Sequence, residues 1–413
     1  MKATLHSAFA VLFCAAALPL AHGASFQSGS DGTYGPMTIA ANTTLDLPID
    51  GVFHCTTITV AQGATLSFRR NPLNTPVYLL ATGDVAINGV VEVNGKPTPG
   101  SFAGGLGGPG GFDGGGGGFS TVGQTLPGGA GLGPGAGKSG NIFGGNPAAA
   151  GAGAYGTRTD LWLDSRDGVT YGTPLLIPLL GGSGGGGVDG NKDGGGGGAG
   201  GAILIASSTI IRVNATTGAV VSRGGLGTLV GGTPNNGGSG GGIRLVAPRV
   251  YGTGTLDVRG SGYNQLNAGS QSGAGRIRID SIFRFEPTSP AQDNIGFSFL
   301  PSAVTSVGSA MVVFPPNNPR LDILQAAGKA IAEGNNGPVF VELPFGSDTN
   351  QTVTVQARNF NKDVLIRVVL TPAAGDPITY DSHIDNQASN PAQVVVNVGI
   401  PINTVVAVNA WTR

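Results

Sequence analysis

Apolar and polar residues alternate with period two along several short stretches, most cleanly in VAINGVVEV (Val85–Val93). That period turns one face of a strand toward a core and the other away. Three longer segments share one arrangement: VYLLATGDVAINGVVEVNG (Val77–Gly95), AILIASSTIIRVNATTGAVVSRGG (Ala202–Gly225) and IRLVAPRVYGTGTLDVRGSG (Ile243–Gly262). Each reads as an apolar strand, a polar corner, a short strand, a Gly turn and a third strand closing on Gly. A weaker copy precedes them at TTITVAQGATLSF (Thr56–Phe68), and a partial one follows at RIRIDSIFRF (Arg276–Phe285). Short strands in units of about 20 residues predict a solenoid. The expected fold is all-β: a right-handed parallel β-helix. Stacking would form inward ladders, with Val85, Ile87, Val91 and Val93 in one unit and Leu256 and Val258 in another.

The repeats are interrupted at one corner, by inserts over roughly 96–201, 224–241 and 260–275. Insertions at one corner project from one face of a solenoid, so these segments are expected to be neighbours in space. They hold most of the 76 glycines of the 413 residues. Two readings compete. Glycine tracts can be flexible loops, or extended polyproline-II-like rods packed where only glycine lets backbones approach. Within the longest insert, YGTRTDLWLDSRDGVTYGTPLLIPLLGG (Tyr155–Gly182) carries Trp162, Tyr171 and a concentration of bulky apolar residues. It reads as a hairpin or cap, either an exposed apolar aromatic binding patch or, the favoured reading, buried against the glycine face.

From about Pro319 the glycine tracts stop. NQTVTVQARNF, DVLIRVVLTPAAGDPITYDSHID and PAQVVVNVGIPINTVVAVNAWTR give five or six alternating strands punctuated by Asn, Asp, Gly and Pro. That spacing predicts a small immunoglobulin-like antiparallel sandwich over 315–413. LDILQAAGKAIAEG (Leu321–Gly334) is expected to be strand rather than helix, because Gly328 is central. The β-helix with its glycine-rich insertions takes 24–300.

Residues 1–23 read as a signal peptide. Lys2 is followed by an apolar run, Ala8–Leu20, too short to span a bilayer, and Ala21–Gly23 gives small residues for cleavage before Ala24. No other run is long and apolar enough to cross a membrane as a helix, so the mature chain is expected to have no transmembrane segment. Cys55 is then the only mature cysteine, which excludes an internal disulfide and reads as a small buried side chain. Charged residues make up 11%, with a net charge of −1. Nothing in that balance steers the chain toward nucleic acid or an anionic membrane.

Chemistry-bearing motifs are sparse. GPGAGKSG (Gly133–Gly140) resembles a phosphate-binding loop, but the required first glycine falls on Leu132, and neither strand nor helix flanks it. DGNKDG (Asp189–Gly194) matches the first half of a calcium loop, with Asp189, Asn191 and Asp193 as candidate ligands; the twelfth-position acid is replaced by Gly200. A solvated polar turn is the competing reading. Asp84, Glu92, Asp257 and Asp280 are scattered one per unit and are expected at strand ends or outward positions. Asp160, Asp164 and Asp167 with Arg166 are the only dense cluster. His54 and His383 remain after the leader and form no catalytic or zinc pattern. No catalytic residue is assigned, and the chain is not expected to be an enzyme.

LLATGDVAINGVVEVNG, GGAILIASSTI and GGIRLVAPRV, set among glycine tracts, resemble glycine-rich secreted β-helical proteins of environmental bacteria and, more loosely, the β-helical passenger regions of adhesins. The resemblance covers about residues 35–285 and brings no catalytic residues. It implies a secreted structural or adhesive protein of the cell surface or extracellular matrix, able to self-associate into fibres, since a solenoid's ends expose unpaired strand edges. A secreted carbohydrate-binding or polysaccharide-degrading protein, acting on surface polysaccharide, is the alternative.

Overall fold

The computed structural model describes residues 26–100, 102–121, 124–140, 150–158, 166–188, 194–214, 217–228, 236–262, 272–283, 297–301, 304–335 and 338–413. The expected signal peptide lies outside them. Its elements are all strands, and among the described residues no helix is long and apolar enough to cross a membrane.

The repeat segments pair side by side in two parallel sheets. The larger sheet runs in the order Arg249–Gly252, Ile210–Val213, Val85–Ile87, Val52–Val60, Val77–Ala81, Ala202–Ser207, Gly242–Val246, Arg276–Asp280 and Thr305–Gly308, with Gly35–Ile39 also on Val52–Val60. The smaller runs Ser298–Leu300, Thr255–Asp257, Ala219–Val221, Val90–Glu92, Thr65–Arg69 and Thr43–Asp46. Equivalent residues of the repeats meet in register. Val77 faces Ile203, Ile203 faces Ile243, and Ile243 faces Ile277. Leu79, Ile205, Leu245 and Ile279 form the next such ladder, and Leu66, Val91, Val220 and Leu256 line the smaller sheet. All of these side chains are buried, and the two sheets share one apolar core. Each contributes about 1.5–3 kcal/mol of burial, which is what holds the register against a slip that would expose the whole row.

The C-terminal region is antiparallel. Lys329–Ala330, Arg320–Ala326, Asn350–Arg358 and Ala392–Gly399 form one sheet, and Ile378–Asp385, Asp363–Pro372 and Val406–Thr412 another. Val353, Val355, Val364, Ile366, Val368 and Leu370 fill a core between them. The expected strand reading of Leu321–Gly334 holds: the chain turns at Ala327 and Gly328, both at positive φ, and pairs Gln325 with Ala330. This region rests on the glycine-rich inserts. Trp411 meets Phe112 edge-on at 5.5 Å, the Gly375 amide donates to the Gly128 carbonyl, and the Ser139 hydroxyl donates to Asp376.

Candidate functional site

The glycine inserts are the most distinctive surface-building element, and they are ordered by a threefold hydrogen-bond pattern. Over 182–188, the amides of Gly182, Gly185 and Val188 donate to Gly200, Gly197 and Gly194. The amides of Gly184 and Gly187 donate to Leu132 and Gly129, in a second direction. Those of Ser183 and Gly186 go a third way, to the Ser239 hydroxyl and the Gly151 carbonyl. A repeat of three residues per turn with every bond made to a neighbouring segment is the geometry of polyproline-II-like rods packed together. It also answers where the backbone groups of a strandless, buried segment find partners.

The packing explains the composition. A Cβ placed on Gly137, Gly184, Gly186, Gly187 or Gly196 would lie 2.5–2.6 Å from a carbonyl carbon of an adjoining rod. No side chain fits in that space, so of the two sequence readings the packed rods describe these tracts. Within the tract centred on Gly116 the constraint is uneven. A Cβ on Gly115 would meet the Ala130 carbonyl carbon at 2.7 Å, whereas at Gly116 the only neighbour among the described residues is the Phe102 oxygen at 3.2 Å. The three inserts meet in this bundle: Gly225 donates to Gly198, Gly153 to Gly237, and Gly240 to Gly273.

The Tyr155–Gly182 segment meets the expectation in part. Arg166 and Tyr171 bond to the glycine rods at Lys138 and Gly181, whereas Tyr155, Leu176 and Leu179 pack on the outer face of the larger parallel sheet, against Leu80, Leu204 and Val246. Trp162, Asp160 and Asp164 lie outside the described residues. This second covering layer changes the status of two carboxylates. Asp257 and Asp280 stand at strand ends and point away from the inner core, as expected, yet both are fully buried. Arg223 and Arg259 close over Asp257, and Arg244, Arg278 and the Ala310 amide over Asp280. Asp257 receives Arg223 Nε at 2.6 Å and Arg259 Nη2 at 2.7 Å. Burial pushes its carboxyl up, but hydrogen bonds from Arg259 and Arg223 outweigh that and hold it below the usual range. Asp280 receives Arg244 Nη2 at 3.0 Å on one oxygen and Arg278 Nη2 at 2.6 Å on the other. Both acids are thus committed to arginine forks and unsuited to proton transfer.

Beside Arg244 the outer face opens into a groove of about 410 Å³. Tyr78, Leu204 and Arg244 form its floor as successive members of one outward ladder. The Leu176–Leu179 stretch and the 313–318 segment wall it, and Tyr78 and Phe314 meet there with centroids 5.2 Å apart.

The remaining sequence candidates resolve as follows. Asp189, Asn191 and Asp193 lie outside the described residues. The Gly137 and Lys138 amides donate to Gly184 and Arg166, so this GKS segment offers no cradle for phosphate. Asp167 accepts the Ala152 amide at 2.8 Å. Cys55 is buried, and burial pushes its thiol up to about 11, the reverse of an activated nucleophile. His54 and His383 sit beside Asp31 and Asp363 on different parts of the surface. Among the described residues no three His, Cys, Asp or Glu side chains group to hold a metal.

No known protein family matches the chain, and no curated protein does. Among solved structures, the chain aligns with the cell-surface-expressed multi-modular chitinase ChiW of Paenibacillus sp. str. FPU-7 at 10% identity and a TM-score of 0.13. The alignment covers 92% of this chain and 23% of the chitinase, and at that score it carries no argument.

Proposed function

We propose that this chain is a secreted structural or adhesive protein of the cell surface or extracellular matrix. In this reading residues 24–300 are a right-handed parallel β-helix that carries the glycine bundle on one side, and 315–413 are an immunoglobulin-like sandwich docked on that bundle. The in-register parallel ladders support the β-helix, and its hand follows the general preference for right-handed crossovers between parallel strands. The observation that carries the function is the bundle itself. Rods cross-bonded in three directions, with no room for a Cβ, make a stiff second layer and present no reactive groups of their own. Stiffness of this kind suits a load-bearing or displaying element outside the cell, where a chain without disulfides must resist unfolding by packing alone.

The test is fractionation of cells producing the full-length chain, with N-terminal sequencing of the product and electron microscopy. A mature chain beginning at Ala24, recovered from the surface or medium, is expected; fibres in the images would add self-association. Uncleaved protein confined to the cytosol would refute the reading.

A further inference from the structure

We propose that the groove beside Tyr78 binds a small ligand consisting of an apolar body and one carboxylate, the carboxylate reaching Arg244 on the floor. This inference is independent of the structural or adhesive role. The walls are mostly apolar, among them Leu73, Pro76, Ile177, Leu179 and Phe314, and the volume of about 410 Å³ lies in the range of small-molecule sites. Such sites pair an apolar lining with a few placed polar groups, and here the placed group is a cation.

Arg244 is 1% exposed and shares a single carboxylate, Asp280, with Arg278. The three groups together hold one positive charge more than negative, and Arg244 touches the exterior only where it lines the groove. Arg244 gives Nε and Nη2 to Asp280, and Nη2 also to the Ala310 carbonyl. Its Nη1 donates to no group among the described residues. A buried guanidinium short of an anion is held at a cost; burial and then Arg278 lower its pKa, and Asp280 opposes them. The other charged residue lining the groove is Asp50, which is exposed and takes the Val52 amide on Oδ1. Among the described residues no acid besides Asp280 is bonded to Arg244. A ligand carboxylate at Nη1 would neutralise the surplus charge, while its apolar part lay against Phe314, whose ring is half exposed.

The same chemistry is offered by a free alkanoate and by the C-terminal carboxylate of a peptide ending in an apolar residue, and the experiment separates them. The mature chain is titrated calorimetrically with decanoate, with decanamide, and with an N-acetylated tripeptide ending in leucine. At least one carboxylate is expected to bind, and about tenfold or more tighter than decanamide. Phe314→Ala should weaken that binding roughly tenfold at an unchanged melting temperature. Arg244→Met leaves Asp280 and Arg278 as a neutral pair and should abolish the preference for the charged ligand. Tighter binding of decanoate assigns the groove to alkanoates, and of the tripeptide to a polypeptide terminus. No binding by any of the three at millimolar concentration, or equal binding of decanoate, tripeptide and decanamide, overturns the proposal. Should Arg244→Met fail to fold, the wild-type selectivity and the Phe314→Ala result decide it without that variant.

Discussion

The bundle makes a sharp prediction about two glycines that the sequence alone does not tell apart: Gly187 and Gly116. At Gly187 a methyl would sit against the Gly116 carbonyl oxygen, 2.6 Å from its carbon and 3.1 Å from the Gly115 oxygen. Ordinary carbon contacts begin near 3.5 Å, so one rod must move by roughly 1 Å. The Gly187 amide donates to Gly129 at 2.7 Å and its carbonyl accepts from Gly140 at 2.8 Å, and the adjoining Gly118 amide reaches Val188 at 2.8 Å. Displacement in any direction stretches at least one of these. Overpacking costs about 1–3 kcal/mol, and one or two weakened buried hydrogen bonds add about 1–3 kcal/mol each. Gly187→Ala should therefore lose on the order of 3 kcal/mol or more. At Gly116 the nearest atom to a new methyl is 3.2 Å away and the φ angle is not left-handed. There the Phe102 carbonyl need yield only a few tenths of an ångström, the loss of unfolded-state freedom offsets that, and Gly116→Ala should stay within about 1 kcal/mol of the parent. Thermal melts of both variants, with hydrogen exchange over 182–188, test the pair. Equal melting temperatures for the two variants, with fast exchange throughout 182–188, would refute the packed-rod account.

Val258→Asp places an unpaired charge at a fully buried position of the smaller sheet's end and should cost about 4 kcal/mol or more, read as lost secretion or a collapsed melt. Asp257→Asn should cost about 3 kcal/mol by removing the buried carboxylate that Arg223 and Arg259 share. Because the folded carboxyl of Asp257 lies below its ordinary 3.8, its stabilisation is complete above that value and fades as pH falls through it toward the folded pKa; the Asn variant should flatten this acid slope of the melting temperature. Cys55, at a raised pKa of about 11 and buried, should resist maleimide labelling in the native protein and react only on unfolding. If Asp189, Asn191 and Asp193 hold calcium, chelator should lower the melting temperature and Asp193→Ala should remove that response; identical melts would leave a polar turn.

The inward ladders were legible because side chains mark a period of two. Val85, Ile87, Val91, Val93, Leu256 and Val258 are all buried as their alternation implies. The rods were not legible in the same way, since glycine carries no side chain to mark a period of three. Leu106, Pro109 and Phe112 stand three apart in an otherwise glycine run, but the chain turns back at Pro109–Gly110, where the Gly111 amide donates to Gly108, so that spacing marks no rod. The buried acids were missed for a different reason. Alternation says which way a residue points, not whether that side is covered. The clue lay in AILIAS, whose six residues are all buried: a continuous apolar run marks a strand covered on both faces. Once the outer face is known to be covered, Arg244, Arg278 and Asp280, placed on it by the same alternation, must be paired in its interior.

The joints between rods and strands tie the two layers into one structure. The Gly201 amide donates to the Val93 carbonyl, and the Gly241 amide to Ser222, at the points where inserts re-enter the larger sheet. Ala202 and Gly242, the next residues, already stand in strand register with each other. A rod that leaves one strand end and returns at the start of another is therefore held at both ends by the ladder whose neighbours it also contacts. Loosening one rod releases amides at a strand terminus, and a slipped strand pulls a rod out of its threefold contacts. Stability in such an arrangement cannot be divided between a β core and decorating loops. Glycine is placed against the strands because neighbouring rods meet there backbone to backbone, and a Cβ at positions such as Gly184, Gly186 or Gly187 would push them apart.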